Sequence, residues 1–213
     1  MKHSRSGTGN PVPNRPRFIV FEGIDGSGKS TQARLLAYRF RETGIPVVLT
    51  SEPSDGVVGS KIRALTVRLP PEEEAHLFTE DRKDHLNRVI IPSLNRGATV
   101  ICDRYVYSSV AYQGARGLDP DEIIEINRSF ALWPDVIFLL EVSVEIALAR
   151  IHGSRPDGFT PFETAADLEK VAKIYAELSD PSIVRIPGDA APEEIHARIV
   201  SELDRLLGSG LVS

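Results

Sequence analysis

Eight consecutive residues, Gly23-Ile24-Asp25-Gly26-Ser27-Gly28-Lys29-Ser30, have the types and spacing to hold a phosphate. They fit G-x-x-x-x-G-K-[ST]. In that pattern the glycines let the backbone turn tightly enough for its N–H groups to surround an anion. Lys29 can reach the outer phosphates of a nucleotide, the Ser30 hydroxyl can ligate Mg²⁺, and Thr31 opens the following helix beside them. Asp25 lies inside the loop. It is either a turn former or a functional group, since a carboxylate beside bound phosphates is costly without a nearby cation or acceptor hydroxyl.

Such a loop works only between a strand and a helix, and the flanking residues supply both. Phe18-Ile19-Val20-Phe21 is an apolar, β-prone run of strand length. Leu35, Leu36 and Phe40 then recur at helical spacing, with Ala33 and Ala37 beside them. The helix N-terminus adds positive potential at the phosphate. This context argues against a chance glycine turn.

The remaining chain continues the alternation. A strand over about Arg17–Glu22 leads to a helix over Lys29–Glu42, which Gly44 stops. Pro46–Thr50 is a second strand and ends at Ser51-Glu52-Pro53. Helices are expected over Val58–Arg68 and from Pro70-Pro71 onward, the second kinked or ended by Pro92. Ala98–Cys102 reads as a strand buried on both faces, followed by Asp103-Arg104-Tyr105 and a helix to Gly114. Asp119 caps a helix through Phe130. Asp135–Leu140 and Ile183–Ile186 are strands. Val144–Ile151, Leu168–Leu178 and Glu193–Leu207 are helices. Gly153–Thr160 is a Gly/Pro/Arg loop suited to a mobile lid. Alternating strands and helices imply an α/β fold, a parallel sheet covered on both sides. Gly23, Glu52, Asp103 and Glu141 then fall along one carboxyl edge, where such sheets bind ligands.

Composition sets the class. The chain has 213 residues, 41% hydrophobic and 26% charged, as expected of a soluble globular domain. A net charge of −5 gives no overall attraction to nucleic acid or acidic membranes. No apolar run is long enough to span a bilayer. The single cysteine, Cys102, rules out an intrachain disulfide and is compatible with a reducing cytoplasm. It ends a strand pattern and reads as a small core residue. Residues 1–16 are basic, Gly/Ser/Pro-rich and without apolar periodicity, and are expected to form a disordered tail. The domain proper is expected over residues 17–208, with a lid at about 150–163.

Four segments together resemble the thymidylate kinase family, whose members phosphorylate dTMP to dTDP with ATP. They are Phe21-Glu22-Gly23-Ile24-Asp25-Gly26-Ser27-Gly28-Lys29-Ser30-Thr31, Glu52-Pro53, Leu77-Phe78-Thr79-Glu80-Asp81-Arg82, and the run from Asp103-Arg104-Tyr105 to Ala111-Tyr112-Gln113-Gly114. The order and spacing are those of the family, over about Arg17 to Leu207. The resemblance implies a three-layer P-loop NTPase fold on a five-stranded parallel sheet, Mg²⁺ and ATP as cofactors, a homodimer and a cytoplasmic location. It implies that Gly23 to Thr31 hold ATP, and that Ser30 and Asp103 serve the metal. Asp25, Lys29, Arg104 and a lid arginine act in catalysis. Glu52, Pro53, Phe78, Arg82, Arg104, Ser108, Ser109, Tyr112 and Gln113 bind the acceptor. Read from the residues alone, several of these stay open. Phe78 can be core or a stacking face for thymine, and Arg82 an ion pair with Asp81 or Glu80 or a donor to the base. Asp103 can be a helix N-cap as well as an organiser of metal-bound water.

The sequence departs from the family in four places. Ser51 replaces the arginine that bacterial members usually carry before Glu-Pro, and Glu141 replaces the usual Asp. Thr160-Pro161-Phe162-Glu163 lacks the lid's usual arginine. Gly26 stands where eukaryotic members carry arginine, so a catalytic arginine must come from Arg150 or Arg155. A guanine-reading Asn-Lys-x-Asp motif is absent, which disfavours a GTPase switch. Another nucleoside monophosphate kinase and a catalytically impaired nucleotide-binding homologue remain as alternatives.

Overall fold

In a computed structural model, which describes residues 15–154 and 164–207, five strands form one sheet in the order β2-β3-β1-β4-β5. The strands are β1 (Phe18–Glu22), β2 (Val47–Ser51), β3 (Thr99–Asp103), β4 (Val136–Glu141) and β5 (Ile183–Pro187). All four pairings are parallel. Residues 1–14 of the expected tail, and most of the expected lid, lie outside the described residues.

The period-two pleat divides each central strand between two cores. From β1, Phe18 and Val20 pack on one face with Val100, Cys102, Val110 and Leu139. Ile19 and Phe21 pack on the other with Leu36, Phe40, Ile101 and Phe138. The second face is covered by α1 (Lys29–Glu42) and α9 (Pro192–Leu207), through Ile195, Ile199 and Leu203. The first is covered by α5 (Val106–Gly114) and α8 (Ala165–Glu177), through Val110, Leu168 and Val171. Cys102 is fully buried in that layer.

One helix boundary is corrected, and two readings left open by the sequence are narrowed. The helix α2 covers Val57–Arg63 and stops well before Arg68. Thr66 and Val67, β-branched and poor in helices, follow its last turn, and Arg68 folds inward to Glu74. Pro92 does not end its helix. Between α3 (Pro71–His85) and α4 (Ile91–Asn95) the chain widens into a π turn over Leu86–Ile90. That wider turn takes up the missing N–H and the ring's clash with the carbonyl four residues back. Arg82 is no surface ion pair with its helix neighbours. Its side chain is 1% exposed, and its Nε and Nη2 donate to Glu52 Oε2 at 2.9 and 2.7 Å. Asp81 instead accepts from Ser54 N and Oγ at 2.7 and 2.6 Å, pinning the loop after β2 to α3.

The Arg82–Glu52 pair is the main polar bolt of this half of the molecule. Glu52 also faces His85 Nδ1 at 3.2 Å, and Arg82 Nη1 donates to Asn127 Oδ1 at 2.7 Å on α6 (Pro120–Arg128). Removing one partner leaves a buried charge uncompensated. Glu52→Ala is therefore expected to cost about 3–5 kcal/mol of stability. Urea denaturation checks this, and an unchanged midpoint would mean that Arg82 is satisfied without Glu52.

Candidate active site

Strand β1 delivers the chain to the carboxyl edge at Glu22, and the glycine loop turns it back into α1. Gly23, Gly26 and Gly28 have φ of 138°, 78° and 101°, values that side-chain-bearing residues rarely adopt. At Gly26 a Cβ would sit 2.3 Å from the carbonyl oxygen of Ala147, on α7 (Val144–Ser154). The loop thus lies against α7 too closely for any side chain there. This gives a physical reason for glycine, rather than arginine, at that position.

Lys29 is 4% exposed and donates to Ile24 O at 2.8 Å, folded back along the loop. Burial, then the charge of Arg104, lowers its pKa to about 8. The neighbouring α1 residue Ser30 is hydrogen-bonded through Oγ to Asp103 Oδ2. Asp103 Oδ1 is buried and has no partner among the described residues.

Arg104 stands at φ 71°, a left-handed backbone in a residue that is not glycine. Its guanidinium is ion-paired with Asp25 and lies 5.1 Å from the Tyr112 ring centroid. Tyr112 Oη donates to Asp25 Oδ2 at 2.9 Å and accepts from the Asp25 N–H at 3.0 Å. Loop, strand end and α5 thereby meet in one Asp25–Arg104–Tyr112 cluster.

The residues that follow Arg104 are anchored by Glu22, a residue to which sequence reasoning gave no role. Glu22 is 1% exposed. Its Oε1 accepts from the N–H groups of Tyr105 and Ser108 at 2.9 and 3.1 Å. Its Oε2 accepts from Ser108 Oγ and Tyr175 Oη at 2.6 and 2.9 Å. Glu22 therefore supplies the N-terminal acceptor for α5. The expectation that Asp103 caps this helix is corrected, because the cap position is Tyr105 and makes no side-chain cap bond. Burial raises the Glu22 pKa against the lowering effect of its hydrogen bonds from Ser108 and Tyr175.

Two clefts open on this edge. The first, about 290 Å³, is lined by all nine residues expected to bind the acceptor, from Glu52 and Pro53 to Tyr112 and Gln113. Arg63, Arg68 and Glu74, not singled out from sequence, also line it. The second, about 480 Å³, is lined by Asp25, Gly26, Gly28, Lys29, Ser30 and Thr31, with Arg150, Ala190 and Pro192 across from them. Gly23, Ile24, Ser27 and Asp103 are not among its lining residues. Asp25 and Arg104 line both clefts. Arg150 donates to Gly188 O at 2.8 Å and to Ser27 O at 3.4 Å, so its guanidinium ties the glycine loop to the loop before α9. Arg155 lies outside the described residues. Glu141 is turned to Arg185 at 2.5 Å, away from both clefts.

A strand, a glycine loop and a helix N-terminus beside a second cleft on the same sheet edge define a P-loop nucleotide-binding protein of the two-site type. A sequence model of the thymidylate kinase family matches residues 21–199. The chain is 41% identical to a thymidylate kinase of Desulfotalea psychrophila, over 92% of this chain and 98% of that one. It is 45% identical to one of Akkermansia muciniphila, over 86% and 89% of the two chains, and 46% identical to one of Xanthomonas oryzae, over 91% and 87%. The chain belongs to the thymidylate kinase family.

Proposed function

We propose that the chain transfers the γ-phosphoryl group of ATP to the 5′-phosphate of dTMP, giving ADP and dTDP. The observation that supports this most is the sharing of Asp25 and Arg104 between the clefts. A nucleotide on the glycine loop and a nucleotide in the Phe78 cleft would bring their phosphates to the same two side chains. Phosphoryl transfer needs little beyond such positioning and charge neutralisation. Arg104 offers a fork of donors to the acceptor phosphate, held in aim by Asp25 and Tyr112. Lys29 leaves Ile24 O for the outer phosphates of the donor. Phe78 gives the base a stacking face, with Ser108, Ser109 and Gln113 around it. Arg82 has spent its Nε and Nη2 on protein acceptors and keeps one Nη1 hydrogen for the base's O4. Further cationic charge comes from Arg150 and from Arg155 in the lid.

The oxygens of Ser30 and Asp103 suit a magnesium ion, which takes one or two protein ligands and completes its shell with phosphates and water. The unpartnered Asp103 Oδ1 is the atom that supports this fit. When bound, the ion would neutralise phosphate charge. We also infer a cytoplasmic homodimer acting on small molecules and not on nucleic acid or membranes. Among the described residues no helix is long and apolar enough to cross a membrane.

A coupled ADP-release assay over a panel of nucleoside monophosphates tests the reading. dTMP is expected to exceed dCMP, because cytosine puts an amino donor where Arg82 also donates. It is expected to exceed UMP, whose 2′-hydroxyl runs toward Tyr112. Equal efficiency for dCMP and dTMP, or no turnover with any acceptor, contradicts it.

A further inference from the structure

One buried cluster on the acceptor cleft takes no part in that account. Glu74, in the first turn of α3, is 3% exposed and carries two arginines. Arg68 donates to it twice, at 2.8 and 3.0 Å, and Arg116 once, at 2.9 Å. Arg116 is itself anchored to Leu69 O at 2.7 Å. On its remaining side Glu74 Oε1 accepts from Gln113 Nε2 at 3.4 Å. Gln113 is 1% exposed and lines the cleft, and its own Oε1 is buried with no partner among the described residues.

A glutamine amide has two nearly isosteric ends, one a donor and one an acceptor, and its neighbours decide which end faces where. A carboxylate paired to two guanidiniums only accepts. It therefore fixes the Nε2 end of Gln113 toward itself and the Oε1 end away. A buried, unpartnered carbonyl oxygen at the wall of a base-sized cleft favours a ligand that donates. Thymine and uracil donate from N3–H. Cytosine presents a bare N3 acceptor, which would set two acceptors against each other.

We propose that Glu74 is a positioning residue for acceptor specificity: it orients the Gln113 amide so that the site selects pyrimidines with an N3–H and rejects cytosine. Arg68 and Arg116 keep Glu74 in place, and none of the three needs to touch the base. This inference rests on the kinase reading above and adds a source of discrimination separate from Arg82.

The test is Glu74→Gln, assayed with dTMP, dUMP and dCMP. A neutral amide both donates and accepts, so Gln113 can then turn either end toward the cleft. The ratio of kcat/KM for dTMP over dCMP is expected to fall by about tenfold or more, while the dTMP over dUMP ratio holds within about twofold, since both bases carry N3–H. If both ratios stay at parent values, or fall together, Glu74 is only structural and the proposal is overturned. Should Glu74→Gln fail to fold, Arg116→Gln, at a half-buried site, loosens the same carboxylate. It must lower the dCMP discrimination selectively, and an unchanged ratio there overturns the proposal equally. In Gln113→Leu, adding Glu74→Gln is expected to change neither ratio further, and an additive loss contradicts action through Gln113. If the parent protein does not prefer dTMP over dCMP, the kinase reading itself fails. If it does and the variants keep its ratios, only the role of Glu74 fails.

Discussion

Lys29→Ala lowers kcat by at least about three orders of magnitude and leaves a folded protein. The ammonium is the one side-chain cation inside the glycine loop, and in the free protein it rests on Ile24 O at 2.8 Å. Its environment already works against its charge, since burial lowers its pKa to about 8. Alanine therefore removes a desolvated charge together with one hydrogen bond, and the net stability change should stay within about 1–2 kcal/mol. The backbone N–H groups of the loop survive the substitution, so nucleotide binding weakens less than turnover. Steady-state kinetics beside a thermal melt separate these effects. Turnover near that of the parent would remove Lys29 from the chemistry.

Arg104→Ala is expected to reduce kcat/KM for dTMP by about 10²–10³-fold, with a smaller change in the KM for ATP. The guanidinium sits where both clefts meet, and among the described residues only its partner Asp25 also lines both. Removing it takes the Arg104 cation away from Asp25 and turns a carboxylate toward an incoming phosphate. The backbone contributes separately. At φ 71° a glycine avoids a steric penalty of about 1 kcal/mol that alanine keeps. Arg104→Gly should therefore be more stable than Arg104→Ala and no more active. If glycine restored activity, the backbone and not the guanidinium would be the functional feature.

The parts of this architecture legible in the sequence are those written in local pattern. Phe18 to Phe21 alternate between two cores and are followed at once by the glycine loop, so strand, loop and helix could be placed from neighbouring residues. Asp119 was readable as a cap for the same reason, and its side chain accepts from Asp121 N at 2.9 Å. Glu22 was not legible as a helix cap, because its donors lie 83 and 86 residues away and a carboxylate ending a strand looks like an exposed edge. For Arg82 the sequence offered Asp81 or Glu80 as ion-pair partners beside a role at the base, yet its carboxylate partner is Glu52, 30 residues earlier. Glu74 gave no signal among Glu72 and Glu73, which share its helix turn. Only the approach of Arg68 and Arg116 sets it apart. Helix boundaries failed where tertiary contacts overrode pattern, as at Arg68 and at the π turn before Pro92.

The central claim is direct transfer between two nucleotides that meet at Asp25 and Arg104. A single-turnover reaction with γ-labelled ATP, protein in excess, tests it most directly. With dTMP present, the label should pass to dTDP in step with ADP formation, and little should appear as inorganic phosphate. Label released as inorganic phosphate, at a rate indifferent to dTMP, would contradict the account.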